Sequence, residues 1–162
     1  LWKNSTVDGV TVWNEGPNGD GCDPEACENV LIQNCIFHTG DDCIAIKSGR
    51  NNDGRLWNNP SKHIIIRNCR MEDGHGGVVI GSEISGGCEN VYAENCEMDS
   101  PHLERILRIK TNNCRGGLLQ NIHMRKVTVG QCKEAVLKIN LDYEPREARR
   151  ATTVCSSSVE TR

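Results

Sequence analysis

A repeat constrains this fold more than any other feature. Three apolar runs end in the same dipeptide: Asn29–Cys35 reads NVLIQNC, His63–Cys69 reads HIIIRNC and Asn90–Cys96 reads NVYAENC. The steps between the closing cysteines are 34 and 27 residues. Asn121–Val127 is a weaker fourth copy, and Asn4-Ser5 is an earlier trace. A period in this range is the mark of a solenoid, whose units bury their apolar faces only against one another. A second run follows in step: Cys43–Ser48, Gly77–Ser82, Ile106–Thr111 and Val136–Asn140. These runs are short, β-branched and alternating, and Gly, Asn and Asp bound them, so they read as strands.

Several strands per repeat, stacked repeat on repeat, predict an all-β, right-handed parallel β-helix of about five coils with almost no helix. Equivalent residues on neighbouring coils would lie about 4.8 Å apart. Asn34, Asn68 and Asn95 are then expected to form an amide ladder at a turn, with Cys35, Cys69 and Cys96 stacked inside.

Composition agrees. A single Phe and frequent Gly in 162 residues disfavour a large globular core and suit one domain of many short turns. The net charge of -3 selects neither nucleic acid nor a membrane surface. No apolar run approaches the roughly 20 residues that span a bilayer. Ten cysteines would ordinarily suggest disulfides. Here they follow the repeat, so buried free thiols are expected. No Cys/His spacing suggests zinc, and no metal or cofactor is expected. Leu1 is not Met, the chain opens inside an apparent strand and no capping helix is evident. The chain therefore reads as the central part of a longer protein, truncated at both ends. The sequence carries no sign of oligomeric state.

Four polar motifs punctuate the repeat: N-G-D-G at Asn18–Gly21, G-D-D-C at Gly40–Cys43, G-H-G at Gly74–Gly76 and R-I-K at Arg108–Lys110. Gly40 lies five residues after Cys35, and Gly74 lies five after Cys69. Asp41 and His75 thus share a position on neighbouring coils. Arg108 and Lys110, two apart on a strand, point to one face while Ile109 points inward. Asp20 precedes Asp41 by 21 residues, roughly one coil. All six side chains can converge on one exposed face. Each motif alone reads more simply as a turn or a solvated strand; the joint register carries the functional reading.

In this order and with these flanks, the set resembles glycoside hydrolase family 28, the polygalacturonases, over nearly the whole span from Ser5 to Tyr143. The resemblance implies a pectin-lyase-like solenoid, with residues 1–162 forming part of the catalytic β-helix. It implies hydrolysis of α-1,4-galacturonosidic bonds in a pectic polysaccharide or oligogalacturonide, with inversion. Asp41 would be the general acid, and Asp20 and Asp42 would hold and deprotonate the attacking water. Generic inverting carboxyls stand about 6.5–9.5 Å apart, leaving room for that water. Crowding of the three carboxylates is expected to raise at least one pKa. His75 would tune the acid. Arg108 and Lys110 would bind the galacturonate carboxylate, and Tyr143 would contact substrate. Asn18 opens the N-x-D motif, where many members carry Thr at the next position and this chain has Gly19. The long stretch Ser48–Pro60 resembles that of exo-acting bacterial members, so Arg50 and Arg55 are expected at the terminal sugar. The complete protein would work outside the cytoplasm, extracellularly or in a periplasm. The alternatives are a hydrolase of another pectin backbone, such as rhamnogalacturonan, and a non-catalytic carbohydrate-binding β-helix.

Overall fold

The computed structural model describes residues 2–145. In chain order the strands are β1 (Lys3–Asp8), β2 (Thr11–Asn14), β3 (Glu28–Gln33), β4 (Ile36–Thr39) and β5 (Asp42–Ile46), then β6 (Ser61–Arg67), β7 (Arg70–Asp73) and β8 (Gly76–Gly81). They continue with β9 (Cys88–Glu94), β10 (Arg105–Lys110), β11 (Leu119–Arg125) and β12 (Ala135–Asn140). One helix, α1 (Asn51–Trp57), lies between β5 and β6. The strands form three walls of a parallel β-helix: β1-β3-β6-β9-β11, β2-β4-β7 and β12-β10-β8-β5. Every ladder within them is parallel. Only the first wall carries the five strands that about five coils imply. With four and three in the others, the regular walls amount to about four turns.

The expected pairs of strand runs are the first and third walls. The middle wall is an addition to the sequence reading. Its strands are four residues long and lie where the sequence between the Asn-Cys pair and the next Gly looks like a connection. It continues past β7 as single bridges, Arg70 to Glu97 to Thr128.

Inward residues from the three walls interdigitate as one core. Ile32, Ile64, Val91, Phe37, Met71, Ile44, Ile46, Val78 and Ile80 all belong to it. Cys35, Cys69 and Cys96 form the expected internal column, each at most 2% exposed. Each thiol donates to the carbonyl two residues earlier, on Gln33, Arg67 and Glu94. The nine described cysteines are all free; Cys155 lies outside the described residues. Asn34, Asn68 and Asn95 turn the corner in left-handed conformation, with φ of 56°, 54° and 53°. Asn tolerates that conformation better than most residues because its short amide bonds locally. Asn68 donates to Asn34 at 3.4 Å and Asn34 to Asp8 at 2.8 Å, so the ladder ends on a carboxylate.

Candidate active site

The third wall builds the site. Its outward columns are read directly from the register. Asp42 faces Gly76, Ala45 faces Val79 and Arg108, and Gly81 faces Lys110. On the near side the segment after β2 runs along β5 through Cys22–Ile44 and Glu25–Lys47 bridges. Asp20 is thereby set beside Asp42, one coil away. The four motifs converge: one oxygen from each of Asp20, Asp41 and Asp42 lies within 4.8 Å of the others. They line an open cleft of about 520 Å³ together with Asn18, Asp23, Lys47, Lys110 and Tyr143.

Each carboxylate has its own partner. Asp41 accepts or shares a proton with His75 Nδ1 across 3.0 Å, and the His75 backbone N–H donates to the Asp41 carbonyl at 2.9 Å. Asp42 is 1% exposed, and its carboxylate accepts from Lys110 Nζ at 2.7 Å and from Arg108 at 3.5 Å. Asp20 accepts the Asp42 N–H at 3.2 Å on one oxygen and Lys47 Nζ at 3.0 Å on the other. Three carboxylates this close could hold a divalent ion; here Lys47 and Lys110 each contact one of them, Asp20 and Asp42. Of these three carboxylates, Asp42 titrates above its ordinary range. Burial is the main cause and the Asp41 charge a lesser one, opposed by Lys110 and Arg108. Crowding was the expected cause; desolvation outweighs it because the side chain is sealed beneath the two cations.

Glycines make this convergence possible. Lys110 reaches Asp42 from two coils away, across β8. At Gly76 a Cβ would meet the Val79 methyl, with Arg108 Cβ and Asp42 Oδ1 both 3.6 Å off. At Gly81 (φ +98°) it would collide with the Lys110 carbonyl. Gly74, the first residue of G-H-G, leaves no room for a side chain against the Asp41 carbonyl and Thr39 Oγ1. The motif is thus as much about close approach as about His75.

Tyr143 stands over both cations, with its ring centroid 5.6 Å from the Arg108 guanidinium carbon and 5.3 Å from Lys110 Nζ. Its backbone is fixed by the Thr111 carbonyl and the Asn112 amide. Asn18 sits at the cleft rim in left-handed conformation. Arg50 does not line this cleft: it lines a neighbouring groove with Trp2, Asp53 and Trp57, and it lies 3.4 Å from Glu83, which does line the cleft. Arg55 is directed elsewhere: it donates to the carbonyls of Cys114 and Arg115 and to Asn52, and it does not line the cleft.

Three contributors escaped the sequence reading. Lys47 bridges Asp20 and Asp23. Its signal was available, because Lys47 and Lys110 hold the same place in aligned runs, with Gly81 between them. Asp23 follows the N-G-D-G motif by two residues. Arg115 is fully buried and donates to the Ser82 carbonyl, Asn51 and Glu144, tying three cleft-side segments together. Nothing in its sequence context, a Gly-rich turn, marked it.

The described geometry has close counterparts among known proteins. A family profile described as "Glycosyl hydrolases family 28" matches residues 2–161. A probable polygalacturonase of Vitis vinifera is 35% identical over 136 residues, covering 82% of this chain and 27% of that protein. An exo-poly-alpha-D-galacturonosidase of Dickeya chrysanthemi is 30% identical, covering 78% of this chain and 20% of that protein. The crystal structure of a hyperthermoactive exopolygalacturonase from Thermotoga maritima superposes with a TM-score of 0.86 at 43% identity, covering 88% of this chain and 32% of that one. This chain spans less than a third of the length of each of these relatives.

Proposed function

The chain belongs to glycosyl hydrolases family 28, and from that premise we propose that it carries the reaction centre of a hydrolase of α-1,4-galacturonosidic bonds in polygalacturonate. The observation that carries this reading is the partnering of the three cleft carboxylates: His75 on Asp41, two cations on Asp42, Lys47 on Asp20. Asp41 delivers the proton to the glycosidic oxygen as the C–O bond breaks. Asp20 takes a proton from the attacking water, and Asp42 helps to orient it. Both have oxygens engaged by cations or N–H groups, which suits holding a water better than attacking carbon.

The nearest oxygens, within 4.8 Å, are closer than the generic spacing of inverting carboxyls. The stereochemical outcome is therefore the sharpest test of these roles. Lys110 and Arg108 present further N–H donors to the sugar carboxylate, and Tyr143 packs on the sugar beside them. Exo action rests on the Ser48–Pro60 segment, whose Arg50 pairs with the cleft-lining Glu83, and on the similarity to exo-acting relatives. A cell-wall polymer substrate implies work outside the cytoplasm.

Release of reducing ends from polygalacturonate tests the activity. Asp41→Asn should lower turnover by about three orders of magnitude, the range lost with a general acid. Proton NMR of the first product should show the β-anomer. A first-formed α-anomer would make one carboxylate a nucleophile.

A further inference from the structure

Lys47 is the strongest unassigned group in the cleft. Its Nζ lies 3.0 Å from Asp20 Oδ2 and 2.6 Å from Asp23 Oδ2. Its backbone is pinned on both sides. The N–H donates to the Pro24 carbonyl, and the carbonyl accepts from the Ala26 N–H and the Ser61 hydroxyl. The ammonium therefore approaches Asp20 from a fixed root. The second oxygen of Asp20 is held by the Asp42 N–H, so both oxygens of this carboxylate are aimed.

Resting on the reading of Asp20 as the group that deprotonates water, we infer that Lys47 is a positioning residue that keeps Asp20 ionised and aimed, and that Asp23 competes for the same ammonium and so sets how far.

Asp20 is faced by the carboxylates of Asp42 on β5 and Asp41 just before it, with Lys110, Glu83 and Tyr143 on the same cleft and Cys22 and Asp23 on its own segment. The neighbouring carboxylates favour its protonation; Lys47 opposes them by direct contact. The balance is visible in the two acids that share the lysine. Burial pushes Asp20 up, yet its hydrogen bonds from Lys47 and Asp23 and the Lys47 charge hold it below its ordinary range. Burial pushes Asp23 up to about 6 in spite of the same lysine, with the Asp20 charge adding to the rise. One cation cannot fully serve two carboxylates, and Lys47 lies within contact of both.

The competition gives substitutions of opposite sign, which a merely structural role would not. Carboxyl carbon NMR on the full chain, with the Asp20 signal assigned by Asp20→Asn, follows the titration directly. Lys47→Met should move the Asp20 midpoint up by about one pH unit, the size expected for loss of an adjacent opposite charge. Asp23→Asn keeps an N–H donor toward Asp20 but removes the charge that draws on Lys47, so it should move the midpoint down, and Lys47→Arg should leave it near the original. The acid limb of kcat/KM on polygalacturonate should shift the same way. An Asp20 midpoint unmoved by Lys47→Met, or moved in the same direction by both substitutions, overturns the inference. So does a Lys47→Met protein that melts earlier with Asp20 unchanged. If the NMR shifts occur but the unsubstituted chain releases no reducing ends, the electrostatic coupling stands and the proposed activity falls. Normal hydrolysis with an unmoved Asp20 does the opposite: the activity stands and the coupling falls.

Discussion

The first and third walls are built by the same coil, yet they use their outward side chains in opposite ways. On the first wall many polar residues meet a counterpart one coil away. Asn29 donates to Asn4, Arg67 to Gln33, Asn121 to Asn90 and Arg125 to Glu94. These ladders close locally and leave little charge unspent. On the third wall the columns are unlike: Asp42 pairs with Gly76, and Gly81 with Lys110. Here a lysine crosses an entire strand to find its carboxylate. A solenoid stacks like on like by default, and the cluster of unlike charges arises where that habit is broken by glycine.

Four measurements can break or sharpen this contrast, in falling order of expected effect. Lys110→Met removes a direct partner from a nearly sealed Asp42. Breaking such a pair costs about 3 kcal/mol or more, so chemical denaturation should show a large loss and binding of oligogalacturonate should weaken together with it. Gly81→Ala forces a side chain into left-handed backbone against the Lys110 carbonyl. A loss of about 1–3 kcal/mol is expected for the backbone alone, and kcat should fall because Lys110 is displaced. Unaltered stability and turnover would mean that the glycine gap is not what admits the lysine.

The third measurement is the pH dependence of thermal unfolding. Asp23 is raised in the folded state to about 6, so the fold binds its proton more tightly than the unfolded chain does. Its effect is to increase stability as the pH falls from about 6 toward its ordinary value near 4. Asp8 and Glu28, on the first wall, are lowered: Asp8 first by the hydrogen bonds from Gln33 and Asn34, Glu28 first by that from Lys3. Their contribution is complete above the ordinary carboxylate range and is lost as the pH falls below it. A melting temperature that rises slightly toward pH 5 and drops below pH 4 is the expected curve. Asp23→Asn should flatten the rise and leave the drop. The smallest effect belongs to Asn68→Ala, which removes one exposed rung. It should cost about 1 kcal/mol, from the lost hydrogen bond and from alanine in left-handed backbone, and leave hydrolysis unchanged.

The sequence made the first wall almost fully legible, because its ladders repeat residue types: Asn and Cys recur in step, and alternation identifies inside from outside. Asp41, Asp42, His75, Arg108 and Lys110 were legible as positions through the same register. Their pairings were not, since a lysine reaching over two coils depends on the space left by Gly76 and Gly81. Lys47 was hidden inside a run read only as a strand. The middle wall was missed because four residues are too few to show a period. Arg115 had no visible signal, for its three partners lie in segments far apart in sequence and meet only once the coils are wound.

The corner after β5 has a consequence for how such a protein can change. The chain inserts α1 there, yet β3 still pairs with β6 and β5 with β8 without a slip in register. Length added at this corner does not propagate into the stack. It leaves the core's spacing intact while Arg50, at its root, pairs with Glu83 of the cleft lining. The corner acts as an editable margin: its length can change at one border of the cleft while Asp20, Asp41 and Asp42 keep their places.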